Sequence, residues 1–172
     1  MLLVTLIFMN AIGMSGATSI RVGRAVGRGD AHAVRVAGWI GIGLGAAIAL
    51  PFAAIYIALP RELAGLFVAD EAVLGFAEGT VRVAGFILVF DAMMAVAMGA
   101  LRGTGDVWVP LGLQAGAFWI AMLPAAYGFA MVLGYGPVGL IAGILVGILA
   151  SLSLLLPRFS RVSARPPRRV RH

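Results

Sequence analysis

Asp91 is the one ionisable side chain that lies well inside an apolar run, ninth of the nineteen residues from Val83 to Leu101. A carboxylate near the middle of a membrane costs about 2.5–3.5 kcal/mol on insertion scales. A segment that only had to span the membrane could carry leucine there. The retained acid favours a binding role: a proton or Na⁺ site, or a counter-ion for a cationic substrate. The alternative is a carboxyl group that is simply hydrogen-bonded inside a helix bundle.

A small set of other side chains could complete such a site. Helical spacing predicts that Met94 and Met98 share the face of Asp91, where their flexible thioethers would adapt to varied ligands. Asn10, Gln114 and Tyr127 are polar groups within apolar runs that could line the same cavity. Each of these three could equally bridge neighbouring helices, and the methionines could be ordinary packing.

The elements that must position these residues are transmembrane helices. The 172-residue chain is 62% hydrophobic and 12% charged, well above the roughly 45–50% apolar share of soluble domains. The pattern predicts an all-α integral membrane protein with about five spans of about 20 residues each. The predicted spans are Met1–Ile20, Ala37–Leu59, Val83–Leu101, Val107–Leu133 and Val138–Leu156.

Charge distribution predicts the orientation. If the first span runs from outside to inside, 11 of the 13 basic residues, all arginines, fall on the cytoplasmic side and only Arg61 and Arg82 lie outside. Short cytoplasmic loops retain positive charge. The protein is therefore predicted to lie in the cell membrane with its N-terminus on the external side and its C-terminus on the cytoplasmic side. Residues 158–172 form a predicted basic cytoplasmic tail, which is interpreted as a plain cytoplasmic anchor, with attraction to anionic lipid headgroups as the alternative. Placement of the arginines at the edges of apolar runs argues against nucleic acid as a partner.

Two of the predicted cytoplasmic turns have similar sequences, Gly27-Arg28-Gly29-Asp30 and Gly103-Thr104-Gly105-Asp106. Glycine can adopt the left-handed geometry that ends a helix, and aspartate can cap the helix that follows. The repeat predicts two helical hairpins closed in the same way. Glycines four residues apart, at Gly41 and Gly45 and at Gly139, Gly143 and Gly147, predict close helix packing.

Catalysis is not predicted. His32 and His172 both lie outside the spans, the sequence has no His-Glu-x-x-His pattern, and a two-aspartate intramembrane protease would need a second buried aspartate. The chain has no cysteine, so thiolate metal ligands are excluded. No cofactor and no protein-bound metal are expected, apart from Na⁺ at Asp91.

Two stretches resemble the C-terminal lobe of the multidrug and toxic compound extrusion (MATE) family. Ala17–Asp30 (ATSIRVGRAVGRGD) is similar to the family's eighth helix and the following turn, and Gly99–Asp106 (GALRGTGD) to the end of its tenth. Phe90-Asp91 stands at the expected distance before the second stretch. The resemblance extends from Met1 to about Arg158 and maps the five spans to helices eight through twelve.

The resemblance implies a partial second lobe of a twelve-helix transporter that exports cationic or amphipathic drugs. Transport would proceed by alternating access, driven by inward movement of Na⁺ or H⁺. Asp91 matches the tenth-helix aspartate that contributes to cation or substrate binding in the family. The first lobe and the seventh helix have no counterpart in this sequence, so the chain is expected to be a fragment or one piece of a split transporter. Its expected partners are drugs, membrane lipid and the missing helices, supplied in cis or in trans.

The sequence is also compatible with two other functions. A flippase for lipid-linked sugars would share the architecture of the wider superfamily, although basic residues for phosphate would be expected deep in its cavity. A non-transporting membrane scaffold would use the glycine faces to assemble with partner helices.

Overall fold

The structure is a computed structural model that describes residues 2–66 and 71–164, without the side chains of residues 2–8, 71–73 and 76. Throughout this part of the chain the regular structure is helical. The helices are α1 (Leu2–Gly27), α2 (Ala31–Ala58), α3 (Pro60–Gly65), α4 (Glu71–Gly103), α5 (Trp108–Ala117), α6 (Leu123–Tyr127) and α7 (Gly136–Ser163). Two π-helical turns, Phe118–Met122 and Gly128–Val132, join α5 and α6 into one rod from Trp108 to Val132.

Four segments of the described chain are long and apolar enough to cross a membrane: Ala31–Ala58, Ala77–Gly103, Trp108–Val132 and Gly136–Ser163. They match four of the five predicted spans, and the all-α membrane fold is confirmed. The helix at the first predicted span, α1, has 26 residues but is not among these four. Its crossing, the exact membrane borders and the division of the chain into bundle and tail stay predictions.

The helices extend beyond the predicted spans. Most of the predicted connections at residues 21–36 and 60–82 are helical, and α7 continues through Pro157 to Ser163, inside the predicted tail. Arginine is a good helix former, so polar turns prolong a helix beyond its apolar part. Residues 165–172 of the predicted tail lie outside the described residues.

Helix α4 is central, because it packs against α1, α2 and α7, and the Trp108–Val132 rod packs against α7. Helices α1 and α4 run parallel: Ser15 lies beside Gly99, and Ser19 beside Gly103. The main apolar core joins α1, α2, α4 and α7 around Leu101, Leu155 and Phe159, each fully buried. Packing in this core fixes the rotation of α4 about its axis, and so determines which α4 residues lie outside the core.

Glycines make these close approaches, as predicted. A Cβ atom on Gly41 would overlap Thr18, and one on Gly45 would press on Val96. Along α7, added Cβ atoms on Gly139, Gly143 and Gly147 would overlap Phe129, Ala126 and Met122, respectively. These glycine faces are therefore occupied within the chain.

The two similar turns lie together at one end of the bundle, which we call the arginine end. It comprises Gly27–Asp30, Gly103–Asp106 and the last turns of α7, where Arg158 Nε donates to Asp106 Oδ2 over 2.8 Å. Asp30 caps α2 as predicted, accepting a hydrogen bond from the Ala33 amide over 2.9 Å. The capping prediction for Asp106 was wrong. Val107 occupies the N-cap position of α5, and the Asp106 carboxylate binds Arg158 instead.

Candidate functional site

Asp91 lines the wall of a cavity of about 680 Å³ between α1, α4 and α5. Its side chain is half-buried. Along α4 it lies eleven residues before Arg102, a rise of about 16 Å at 1.5 Å per residue. Among the described residues no basic group and no hydrogen-bond donor engages the Asp91 carboxylate. An acid without such a partner retains both oxygens for a bound cation or proton.

Helix α1 forms one wall of the cavity with a stripe of small residues. Ala11, Ser15 and Ser19 recur every four residues, and so lie on the face toward α4. The Ser15 hydroxyl donates to the Ala95 carbonyl over 2.7 Å, which ties the two helices together next to the site. Gly99 admits α1 at this level, since any side chain there would overlap the Ser15 backbone.

Three of the other predicted residues share the cavity with Asp91. Met94 and Met98 are buried, 6% and 7% exposed, and both contribute to the cavity lining. Gln114 reaches across from α5, and its Nε2 lies 3.8 Å from Met94 Sδ. The methionines thus belong to the core and the cavity wall at once. The amide oxygen of Gln114 could serve with the carboxylate as an oxygen ligand for a hard cation such as Na⁺.

The remaining two predicted residues lie elsewhere. Asn10 lines a narrow crevice between α1, α2 and α4 that also contacts Ala92, the residue after Asp91. Tyr127 is 66% exposed, at the end of α6, and does not line the Asp91 cavity.

The lining also includes residues that were not predicted as site residues, among them Ser15, Ser19, Arg102 and Phe118. The repeat of small and polar residues on α1 was a usable signal, because apolar helices rarely place serines at four-residue spacing without a packing or binding role. Arg102 is exposed at the arginine end of the cavity. Phe118 begins the first π-helical turn, a feature often found at functional sites, but nothing in the local sequence indicates where such a turn will form.

Chemically, the cavity combines one carboxylate, one amide, two serines and two thioethers in largely apolar walls, with the Arg102 guanidinium at its arginine end. Such a lining can bind a monovalent cation or a proton through oxygen atoms and accommodate an apolar organic cation against the methionines. Among the described residues that line the cavity there is no histidine or cysteine.

Comparison with known proteins gives a consistent family. The MatE family model matches residues 1–128. The chain is 36% identical over 151 residues to a "Probable multidrug resistance protein NorM" of Pseudomonas putida, covering 85% of this chain and 33% of the relative. Relatives of the same name in Deinococcus radiodurans and Rhizobium meliloti are each 36% identical, over 158 and 168 residues. They cover 88% and 92% of this chain and 35% and 36% of their own length. The chain thus spans about one third of the length of these curated relatives.

Proposed function

Because the chain belongs to the MATE family, we propose that it forms part of a multidrug efflux antiporter in which Asp91 binds the coupling cation or a cationic drug. The names of its relatives support multidrug resistance as the biological setting. The proposed reaction is exchange of a cationic or amphipathic drug for Na⁺ or H⁺ by alternating access. It involves transport with no covalent step, so no enzyme activity is proposed.

The observation that carries this proposal is the Asp91 carboxylate, half-buried on a membrane-spanning helix beside a cavity of about 680 Å³ and without a partner in the described chain. Leaving a carboxylate unpaired in such a place is costly. A visiting cation or proton offsets that cost when it binds. Cation and drug would compete for the same carboxylate, and this competition is the physical basis of exchange.

The proposed setting is the cell membrane, with the arginine end facing the cytoplasm. Complementary helices, supplied in cis or in trans, would close the side of the cavity that this third of the transporter leaves open. The scaffold function finds less support, because the glycines of α7 already contact the Trp108–Val132 rod. The flippase function is likewise disfavoured, since the cavity's one arginine, Arg102, lies at its end.

A chimera tests the proposal. The matching third of the Pseudomonas putida relative is replaced by this chain, and ethidium efflux is measured in cells with Na⁺ and pH varied separately. We expect Asp91→Asn to lower efflux at least tenfold, because a neutral amide has no negative charge with which to attract a cation and cannot take up and release a proton. Asp30→Asn is the matched control, since asparagine caps a helix as well as aspartate does.

Efflux by the Asp91→Asn chimera with unchanged rate and unchanged Na⁺ and pH dependence would refute the role of Asp91. If the chimera with Asp91 intact inserts in the membrane but exports nothing, the transport proposal itself fails for this chain. Varying Na⁺ at fixed pH, and pH with K⁺ in place of Na⁺, identifies the coupling ion.

A further inference from the structure

A second large cavity lies on the other side of α1, away from Asp91. It is a groove of about 550 Å³ between α1 and α2 that reaches the arginine end. We call it the arginine groove, because Arg21, Arg24 and Arg28 line one wall. Nothing in the proposed transport cycle uses this groove, and a ligand could bind there whether or not the chain transports drugs.

The three arginines form one stripe that runs from the last turns of α1 into the turn that follows it. Their spacing of three and four residues places them on the same helix face, over a rise of about 10 Å. All three side chains are exposed, and in the described part of the chain none pairs with an acid. Asp30, the nearest acid in sequence, accepts the Ala33 amide at the start of α2. The stripe therefore concentrates three positive charges that form no ion pair in the described part of the chain.

Below the arginines the groove becomes apolar. Toward the middle of the bundle its walls are Ala17 and Met14 on α1, and Ile40 and Leu44 on α2. Because α2 runs antiparallel to α1 from the shared turn, these residues extend the groove lengthwise from its charged end. Ile40 is 52% and Leu44 48% exposed, so this part of the groove is open from the side.

We propose that the arginine groove binds an anionic phospholipid, with its phosphate at Arg21, Arg24 and Arg28 and one acyl chain along the apolar part. The lengthwise order of charge and apolar surface matches the order of headgroup and acyl chain in a bilayer. The arginines occupy the last two turns of α1 and the following turn, directly before Ala31, where the candidate span α2 begins. Lipid headgroups would meet α2 at this level. Basic pockets between membrane helices are suited to anionic headgroups, and guanidinium groups bind phosphate oxygens in a bidentate manner.

Native mass spectrometry of the full chain released from detergent micelles tests this assignment. The chain is titrated with phosphatidylglycerol and with phosphatidylcholine of identical acyl chains. We expect phosphatidylglycerol to bind at least tenfold more tightly. Arg24→Gln/Arg28→Gln should weaken it on the order of tenfold or more, from the loss of two headgroup contacts.

The matched control is Arg35→Gln/Arg161→Gln, which removes the same charge from two exposed arginines that do not line the groove. We expect it to change phosphatidylglycerol binding less than twofold. Equal weakening by both pairs would overturn the proposal in favour of general attraction to a basic protein. Equal affinity for the two lipids would overturn it as well.

A steric variant tests the acyl-chain part without changing charge. Ala17 is exposed on the groove wall, so Ala17→Phe fills the groove while leaving the core untouched. We expect it to weaken phosphatidylglycerol binding at least fivefold, and excess inorganic phosphate to displace little of the bound lipid. Full displacement by phosphate, or unchanged binding by Ala17→Phe, would show a free-anion site and refute a phospholipid site.

Discussion

The α1–α2 turn and the α4–α5 turn have the same backbone but use their side chains differently. In the first, the Gly29 amide donates to the Val26 carbonyl over 2.9 Å and the Asp30 amide to the Ala25 carbonyl over 3.1 Å. In the second, the corresponding bonds run from Gly105 to Arg102 and from Asp106 to Leu101, at the same distances. Each turn has one glycine at positive φ, 73° at Gly29 and 82° at Gly105. Both are Schellman motifs.

The difference begins one residue after the shared backbone. Helix α2 starts directly after Asp30, whose carboxylate caps it, whereas α5 starts one position later and leaves the Asp106 carboxylate for Arg158 of α7. The first glycines differ too. Gly27 has open space where a side chain would project, while Gly103 lies against Ser19 and Val22 of α1. A local motif thus sets the turn, and the tertiary neighbours set what its side chains do.

The largest effect on stability should be the difference between alanine substitutions at the first glycine of each turn, Gly27 and Gly103. Gly103→Ala would drive a methyl group into the Ser19 carbonyl and Val22, and such overpacking costs about 1–3 kcal/mol. Gly27→Ala meets no atom and should be neutral or slightly stabilising. Thermal unfolding of the purified chain in detergent, followed by tryptophan fluorescence, measures both. Equal melting temperatures for the two variants would show that the α1–α4 approach is looser than the structure has it.

The next effect concerns the two aspartates. Asp106→Asn removes the charge that pairs with a partly buried Arg158, and should cost roughly 1–2 kcal/mol, between the limits for exposed and buried ion pairs. Asp30→Asn keeps a good cap and should be close to neutral. The same unfolding measurement applies. Stability restored by combining Asp106→Arg with Arg158→Asp would confirm the pair, and a double variant no more stable than either single one would contradict it.

A smaller effect is expected from removing the cap entirely. Asp30→Ala should cost about 1 kcal/mol, because the Ala33 amide loses its side-chain acceptor. Asp30→Asn and Asp30→Ala together therefore separate capping from charge. Hydrogen exchange of the first turn of α2 should rise only in the alanine variant. If both variants raise it, the role of Asp30 is electrostatic.

The smallest effect is a response to salt. Raising NaCl from 0.1 to 1 M should weaken the Asp106–Arg158 pair by roughly 0.5 kcal/mol or less, because its carboxylate is largely shielded from water. The Asp106→Asn variant should lack this salt-dependent loss of stability, because it has no carboxylate to pair with Arg158. A difference in melting temperature between wild type and variant that vanishes in high salt would place the pair in bulk solvent.

The fold and part of the candidate site could be predicted because both depend on the pattern of residues along single helices. Apolar runs identify helices, and spacing along one helix predicts that Met94 and Met98 accompany Asp91; the structure places all three along one cavity. Gln114 was found because it is polar in an apolar run. Its functional role, like that of Asp91, stays a prediction.

The remaining site residues depend on how helices pack. Ser15 and Ser19 line the cavity because Gly99 and Gly103 admit α1 beside α4, contacts between residues 84 apart in sequence. Tyr127 looked equivalent to Gln114 in the sequence, yet it faces outward because the rod packs on α7 through its other side. No local pattern fixes such pairings, nor the choice of Arg158 over a cap at Asp106.

We expect the two π-helical turns to make the Trp108–Val132 rod tolerant of losing a residue. A π-helical turn holds one residue more than an α-helical turn at nearly the same place in the rod, so losing a residue from Phe118–Met122 would leave a plain helix with both flanks facing as before. A deletion between Gly139 and Gly147 would instead rotate the rest of α7 by about 100° and separate the glycines from their partners. Alignment gaps among relatives are therefore expected in the rod and not in α7.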